Sequence, residues 1–293
     1  MSLHPSSLIP HPSSLRLLVT GGSGYLGSAI LNRAPRDWTL ATTYLTQPLS
    51  SEQVAAFHLD VRDANAVDRV IAEFRPHAII HTAALMRGNE MRATNADGSR
   101  NIARAAAQTH ARFIHLSSDV IFDGEHAPYD ESALPAPISP YAESKALAER
   151  AVLDEYPNPV IVRTSLIYGF DPLDPRTRQA LDGEMPRLFT DEYRCPIFVD
   201  DLAGALLELV VSDYSGILNI AGPQRLSRYE FGLKLATALG VEPRFKPALS
   251  EPIATPRPRD CTLDMSRAQK LLQTKLRGVD QVLEFLHPLE WRL

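Results

Sequence analysis

A chain of 293 residues, 44% hydrophobic and 22% charged, has the make-up of an ordinary soluble globular protein and is long enough to bury a large core in one α/β unit or two intimate domains. A formal net charge of −5 argues against nucleic acid as a partner, and no apolar run reaches the roughly 18 residues that a membrane span needs. Two cysteines, Cys195 and Cys261, are too few for a disulfide framework or a cysteine zinc site and fit a reducing, cytoplasmic compartment.

Residues 1–14 carry a short repeat, His4-Pro5-Ser6-Ser7-Leu8 and then His11-Pro12-Ser13-Ser14-Leu15. With no basic start and no apolar stretch, they read as a flexible tail and not as a secretory leader. Residues 15–20 then form an apolar run that predicts a buried parallel strand. Thr20-Gly21-Gly22-Ser23-Gly24-Tyr25-Leu26-Gly27 follows at once, and residues 25–31 predict a helix. Gly22, Gly24 and Gly27 fit one phosphate-binding spacing, while Gly21, Gly24 and Gly27 fit another. Either lets the backbone turn tightly against a pyrophosphate, which the free N–H groups at Tyr25 and Leu26 would face.

Further along, residues 40–44, 55–59, 78–81, 112–116 and 160–163 read as strands. Residues 64–74, 91–109 and 141–155 read as helices. This alternation predicts an α/β fold with a Rossmann-type, doubly wound parallel sheet over residues 15–165. Past Gly169 the texture changes to loops and proline, with a helix over 202–211 that Asp200 or Asp201 can cap. Residues 166–293 are expected to form mainly a smaller substrate-binding part, with some segments returning to the sheet. The ligand is expected between the two parts, at the carboxyl edge of the strands.

Tyr141-Ala142-Glu143-Ser144-Lys145 places a phenol and an ammonium four residues apart, on one helix face. In isolation such a pair is more often an amphipathic surface. Behind a glycine turn it reads as the proton donor of a carbonyl reduction, because a nearby ammonium and an oxidised nicotinamide favour the phenolate of a tyrosine whose free pKa is about 10. Lys145 would also hold the nicotinamide ribose. Ser118, at the end of the 112–116 strand, can bond the same carbonyl oxygen.

With these pieces in order, joined by Leu59-Asp60-Val61, His81-Thr82-Ala83-Ala84, Asn95-Ala96-Asp97-Gly98, Leu116-Ser117-Ser118-Asp119 and Arg163-Thr164-Ser165-Leu166-Ile167-Tyr168-Gly169, the chain resembles the short-chain dehydrogenase/reductase superfamily. The likeness is to its extended branch, which acts on nucleotide sugars. Ser118 to Gly124, Pro128-Tyr129-Asp130-Glu131 and Arg257-Pro258-Arg259-Asp260 are most similar to the dTDP-4-dehydrorhamnose reductases. Between Ala84 and Asn95 the chain is shorter than that group and lacks its acidic stretch, and Ile197 follows Pro196 where threonine is commoner, so the sugar is left open.

The resemblance implies that Ser118, Tyr141 and Lys145 are catalytic, that the Asp60 carboxylate receives the adenine amino group beside Val61, and that Asn95 holds local backbone. Asp60 could instead cap the helix that follows, and Ala83 and Ala84 are either room for cofactor or plain packing. The end of the second strand, Thr42-Thr43-Tyr44-Leu45-Thr46-Gln47, has no acid to grip a ribose 2′-hydroxyl and no arginine for a 2′-phosphate. Thr43 can contact the phosphate, and NADPH is expected, with NADH also usable. Arg87, Arg194 and Arg257 are candidate partners for a substrate diphosphate. The histidines show no metal-ligand spacing. The expected activity is reduction of a 4-keto nucleotide sugar, with no nucleic-acid or membrane partner and room for a homodimer. The alternatives are an epimerase or dehydratase of the same branch, or a regulatory subunit that binds cofactor without turnover. Intact Ser118, Tyr141 and Lys145 argue against the last.

Overall fold

The computed structural model describes residues 15–49, 51–250 and 256–285; the tail over 1–14 lies outside them. The first half runs β1 (Arg16–Thr20), α1 (Tyr25–Arg33), β2 (Thr39–Tyr44), β3 (Val54–His58), α2 (Ala64–Phe74), β4 (Ala78–His81), α3 (Gly98–Gln108), β5 (Arg112–Ser118), α4 (Pro140–Glu155) and β6 (Val160–Thr164). The second half runs β7 (Ile167–Tyr168), α5 (Pro175–Leu181), β8 (Arg187–Phe189), β9 (Tyr193–Arg194), β10 (Ile197–Phe198), α6 (Val199–Val210), β11 (Gly216–Asn219), β12 (Leu226–Ser227), α7 (Arg228–Ala238), β13 (Lys246–Ala248), α8 (Ser266–Leu271) and α9 (Val279–Leu283).

Seven strands pair in the order β3-β2-β1-β4-β5-β6-β11, all parallel. Alternate residues feed opposite faces. Leu17 and Val19 of β1 pack with Ile30 of α1 and Leu202 and Leu206 of α6, while Leu18 packs with Ile71 of α2 and Ile102 of α3. A parallel sheet covered by helices on both faces explains why its strands are continuous apolar runs. The order reverses between β1 and β4, so a crevice opens at their carboxyl ends, where the glycine turn lies. The last strand, β11, comes from the second half of the chain. No helix among the described residues is long and apolar enough to cross a membrane.

Two elements differ from the sequence reading. The helix expected over 91–109 is broken by a π-turn, Ala93–Asp97, ahead of α3. The extra residue turns Asn95 inward, where it binds Leu85 and Ser144, and such turns occur mostly at functional sites. Helix α6 begins at Val199, so Asp200 and Asp201 lie in its first turn and neither caps it. They face the positive end of the helix dipole and pair instead with Arg33 at 2.8 Å and Arg277 at 2.6 Å.

Candidate active site

The glycine turn resolves into distinct roles. Gly21 has φ +72°, and a β-carbon there would lie 2.9 Å from the Ala83 Cα, so the turn packs directly on the loop after β4. A β-carbon at Gly22 would overlap Thr42 of β2, and one at Gly27 would meet the Gly21 carbonyl oxygen at 2.4 Å. Only Gly24 leaves its side open apart from the Gly21 oxygen, and no side chain caps α1. The free N–H groups at Tyr25 and Leu26 therefore border an open cradle, which fits a pyrophosphate. The spacing Gly21, Gly24, Gly27 is the one that shapes it.

Around this cradle, Thr43 differs from expectation. It is buried, and its Oγ1 accepts a hydrogen bond from the Gly21 N–H at 3.3 Å. It braces the turn. Asp60 lies just past β3 with both carboxylate oxygens bound by the Arg62 guanidinium, which holds it below the usual carboxylate range. It does not cap α2; Asp63 does, accepting from the Ala66 N–H at 3.0 Å. Val61 is buried, Ala83 half-buried and Ala84 exposed.

Asn95 ties the site together. Its amide accepts from the Leu85 N–H and donates to the Leu85 carbonyl, both at 2.8 Å, and donates to Ser144 Oγ at 2.9 Å. The loop after β4 is thereby fixed to the helix that bears Tyr141 and Lys145. Sequence reasoning passed over His81, which links Thr20 Oγ1 at 2.6 Å to Ser99 Oγ at 3.0 Å. Burial, then Lys145, pulls its pKa down to about 3, so it is a neutral connector.

Ser118 ends β5, and its hydroxyl donates to Asp119 Oδ1 at 3.3 Å. Ser139 caps α4 and Pro140 opens it, so the sequence itself sets where Tyr141 stands in the first turn. Lys145, one turn on and 4% exposed, donates to the Leu116 carbonyl of β5. Burial pulls its pKa down to about 8, with Glu149 opposing. The Tyr141 pKa is pushed up to about 12, first by burial and next by Asp119, with Arg176 and Ser118 acting the other way. The sequence reading expected the ammonium to favour the phenolate. Without a cofactor, burial first and Asp119 next outweigh any such help, and Lys145 turns to the Leu116 carbonyl. Tyr141 rests as an acid.

The arginines are redistributed. Arg194, 4% exposed, donates to the carbonyls of Tyr193 at 2.7 Å and Pro258 at 3.1 Å, and its Nε stands 3.9 Å from Asp119. It binds the chain to itself, and its guanidinium is not offered to a ligand. Arg257 pairs with buried Glu192 and covers the Phe189 ring at 5.3 Å. Arg87 is exposed in the loop after β4. Two arginines not foreseen, Arg176 and Arg228, line a small pocket open to solvent, whose walls include Leu181, Leu188, Phe231 and Phe245. Neither is ion-paired to a carboxylate among the described residues. Burial, then Arg176, Arg194 and Arg257, pulls the Arg228 pKa down to about 9. The Arg176 charge in turn acts on Tyr141. Their signals were local: Asp174-Pro175 starts the helix that bears Arg176, and the capping box of Ser227 and Glu230 starts the one that bears Arg228.

A doubly wound sheet, a glycine cradle at its switch point and a Ser118–Tyr141–Lys145 group beside it define an NAD(P)-dependent oxidoreductase of the short-chain dehydrogenase/reductase type. The chain belongs to the family of the RmlD substrate binding domain, which matches residues 15–287. It is 32% identical over 274 residues to the dTDP-4-dehydrorhamnose reductase of Mycobacterium tuberculosis, covering 87% of this chain and 86% of that protein. It is 30% identical over 285 residues to methionine adenosyltransferase 2 subunit beta of Xenopus tropicalis, covering 87% and 82%. The crystal structure of dTDP-4-dehydrorhamnose reductase from Bacillus anthracis in complex with NADP is similar with a TM-score of 0.79 and 25% identity, covering 92% of this chain and 98% of that one.

Proposed function

We propose that this protein reduces the 4-keto group of a nucleotide-linked sugar with NADPH, Tyr141 donating the proton. The observation that carries the reading is a placement: Tyr141 and Lys145 stand one helical turn apart on α4, which packs on β5, the strand that Ser118 ends, and Lys145 bonds the Leu116 carbonyl of that strand. When bound, the nicotinamide supplies hydride. Ser118 then fixes the carbonyl oxygen, Tyr141 gives that oxygen its proton, and the Lys145 ammonium steadies the phenolate left behind and holds ribose hydroxyls. The pyrophosphate fits the Gly24 cradle and the N-terminus of α1. Asp60, with Val61 beside it, receives the adenine by exchanging part of its bonding to Arg62.

The substrate lies between the sheet half, 15–165, and the second half, 166–293. Its diphosphate meets Arg176 and Arg228, with Arg257 and Arg87 at the margin. The buried free thiols Cys195 and Cys261 fit work in a reducing cytoplasm. The test is a panel of nucleotide-linked 4-keto sugars followed by NADPH absorbance. Consumption of NADPH with none of them would refute the reading.

A second reading has its own support, the likeness to methionine adenosyltransferase 2 subunit beta. A non-catalytic subunit would bind NADPH, turn over no sugar and co-elute with a methionine adenosyltransferase catalytic chain. Size-exclusion chromatography of the mixed proteins separates the two.

Cofactor choice gives a prediction of its own. The end of β2 has no acid, so NADPH is expected to bind at least as tightly as NADH in fluorescence titration. Aspartate belongs at exposed Thr46 and not at buried Thr43: Thr46→Asp should move the preference toward NADH, whereas Thr43→Asp would bury a carboxylate and lower the melting temperature. A clear native preference for NADH would overturn this.

A further inference from the structure

Asp119, next to Ser118 in sequence, is a carboxylate only 3% exposed, held by groups from three segments. Ser165, just past β6, donates to its Oδ2 at 2.6 Å, and Arg194 Nε of β9 stands 3.9 Å from the same oxygen. Ser118, the last residue of β5, donates to its Oδ1 at 3.3 Å.

The last of these contacts bears on the chemistry. A serine hydroxyl has one proton and two lone pairs, and a carboxylate only accepts. The bond to Asp119 therefore takes the single Ser118 proton. The Val120 N–H donates to the serine oxygen at 3.5 Å and takes one lone pair. What Ser118 still offers a ligand is the other lone pair. In the free site it is an acceptor, whereas fixing a carbonyl oxygen needs a donor.

We propose that Asp119 is a positioning residue that holds the Ser118 proton and so sets the free site to receive a sugar hydroxyl in preference to a keto oxygen. The inference rests on the reductase reading for the ligands that meet Ser118. Of the two hydroxyl bonds to the carboxylate, the one from Ser118 is the longer, 3.3 Å against 2.6 Å. It is the bond that yields when a keto oxygen draws the serine proton, while Ser165 keeps Asp119 in place. A sugar hydroxyl makes no such demand, because it donates to Ser118 and accepts from Tyr141.

Asparagine reverses the arrangement. Ser165 Oγ accepts from the Cys195 N–H at 3.2 Å and gives its own proton to Asp119. In Asp119→Asn the side-chain oxygen keeps that bond, so the amide nitrogen falls on the Ser118 side and donates to the serine oxygen. The serine proton is then free for the ligand. A keto oxygen gains a donor, and a sugar hydroxyl loses the acceptor of its proton.

The test uses two dead-end complexes in which no hydride moves: dTDP-4-dehydrorhamnose with NADP+, and dTDP-rhamnose with NADPH. In calorimetric titrations D119N should bind the keto sugar about three- to tenfold more tightly and the hydroxy sugar more weakly by a similar factor, the usual effect of one hydrogen bond. Loss of the Asp119 charge, or a shift of Arg194, acts on both sugars alike and leaves the ratio of the two constants where it was. Both changes should vanish in a Ser118→Ala background. A ratio that D119N leaves unmoved, or moves equally with and without the Ser118 hydroxyl, would overturn the proposal. Should D119N not fold, Ser165→Ala takes its place. It removes the other hydroxyl from Asp119, which then holds the serine proton harder, so the ratio should move the opposite way; an unmoved ratio overturns the proposal. Neutron diffraction of the native protein needs no sugar. The Ser118 deuteron should point to Asp119 Oδ1, and a deuteron turned away from it overturns the proposal. Should neither sugar bind, the reductase reading fails for them and the deuteron alone decides the role of Asp119.

Discussion

Replacing Tyr141 with phenylalanine is expected to lower turnover by roughly 10²-fold or more, the usual cost of losing a positioned general acid, while NADPH binds almost as before. The ring fills the same space, so α4 keeps its packing. What goes is the hydroxyl, on which Asp119 and Ser118 act. The loss should fall on kcat, because a proton given only as hydride arrives belongs to the transition state and not to substrate binding. The measurement is steady-state kinetics with the best 4-keto sugar, beside a fluorescence titration of NADPH. Turnover within a few-fold of native would remove Tyr141 from the chemistry. Equal weakening of NADPH binding would mean that the phenol serves the cofactor site first.

Tyr141 and Lys145 were legible in the sequence because their message is local: four residues apart on a helix, behind Ser139 and Pro140, they must share a face. The sheet was legible for a similar reason, since strands buried on both faces, such as 78–81, are unbroken apolar runs between helices. The π-turn at Ala93–Asp97 was not, because one extra residue in an alanine-rich helix leaves no compositional mark. It declares itself only through what Asn95 reaches. Thr43 misled for a geometric reason. Its hydroxyl is engaged by the Gly21 N–H, a contact between β2 and the turn after β1 that only the fold brings about. The further rise of the Tyr141 pKa was out of reach, since it comes from burial and then from Asp119, which the fold brings over from another segment.

The arginines show the same limit at its sharpest, and they carry the last prediction. In sequence Arg194 and Arg228 are equivalent cations. In the fold, Arg194 satisfies buried carbonyls at Tyr193 and Pro258 and stands near Asp119, while Arg228 is buried without a carboxylate partner in a cavity wall. Removing Arg194 strands acceptors and a buried carboxylate, a change that costs about 3–5 kcal/mol and should lower the melting temperature by on the order of 10 °C. Removing Arg228 does the reverse. Its charged form is penalised by burial and by its cationic neighbours, so Arg228→Met should hold or raise the melting temperature. On the proposed placement of the diphosphate, the same change takes away a charge-assisted contact worth about 1.5–3 kcal/mol, or roughly 10- to 150-fold in substrate affinity. A stable, NADPH-binding R228M that has lost its substrate, set beside a labile R194M, is the expected pair of results from thermal melts and substrate titrations. Native substrate affinity in R228M would place the diphosphate elsewhere, with Arg176 next to be tested. A melting temperature that falls with R228M as far as with R194M would show that the cavity arginine holds the fold, and that its strained charge is not kept for a ligand.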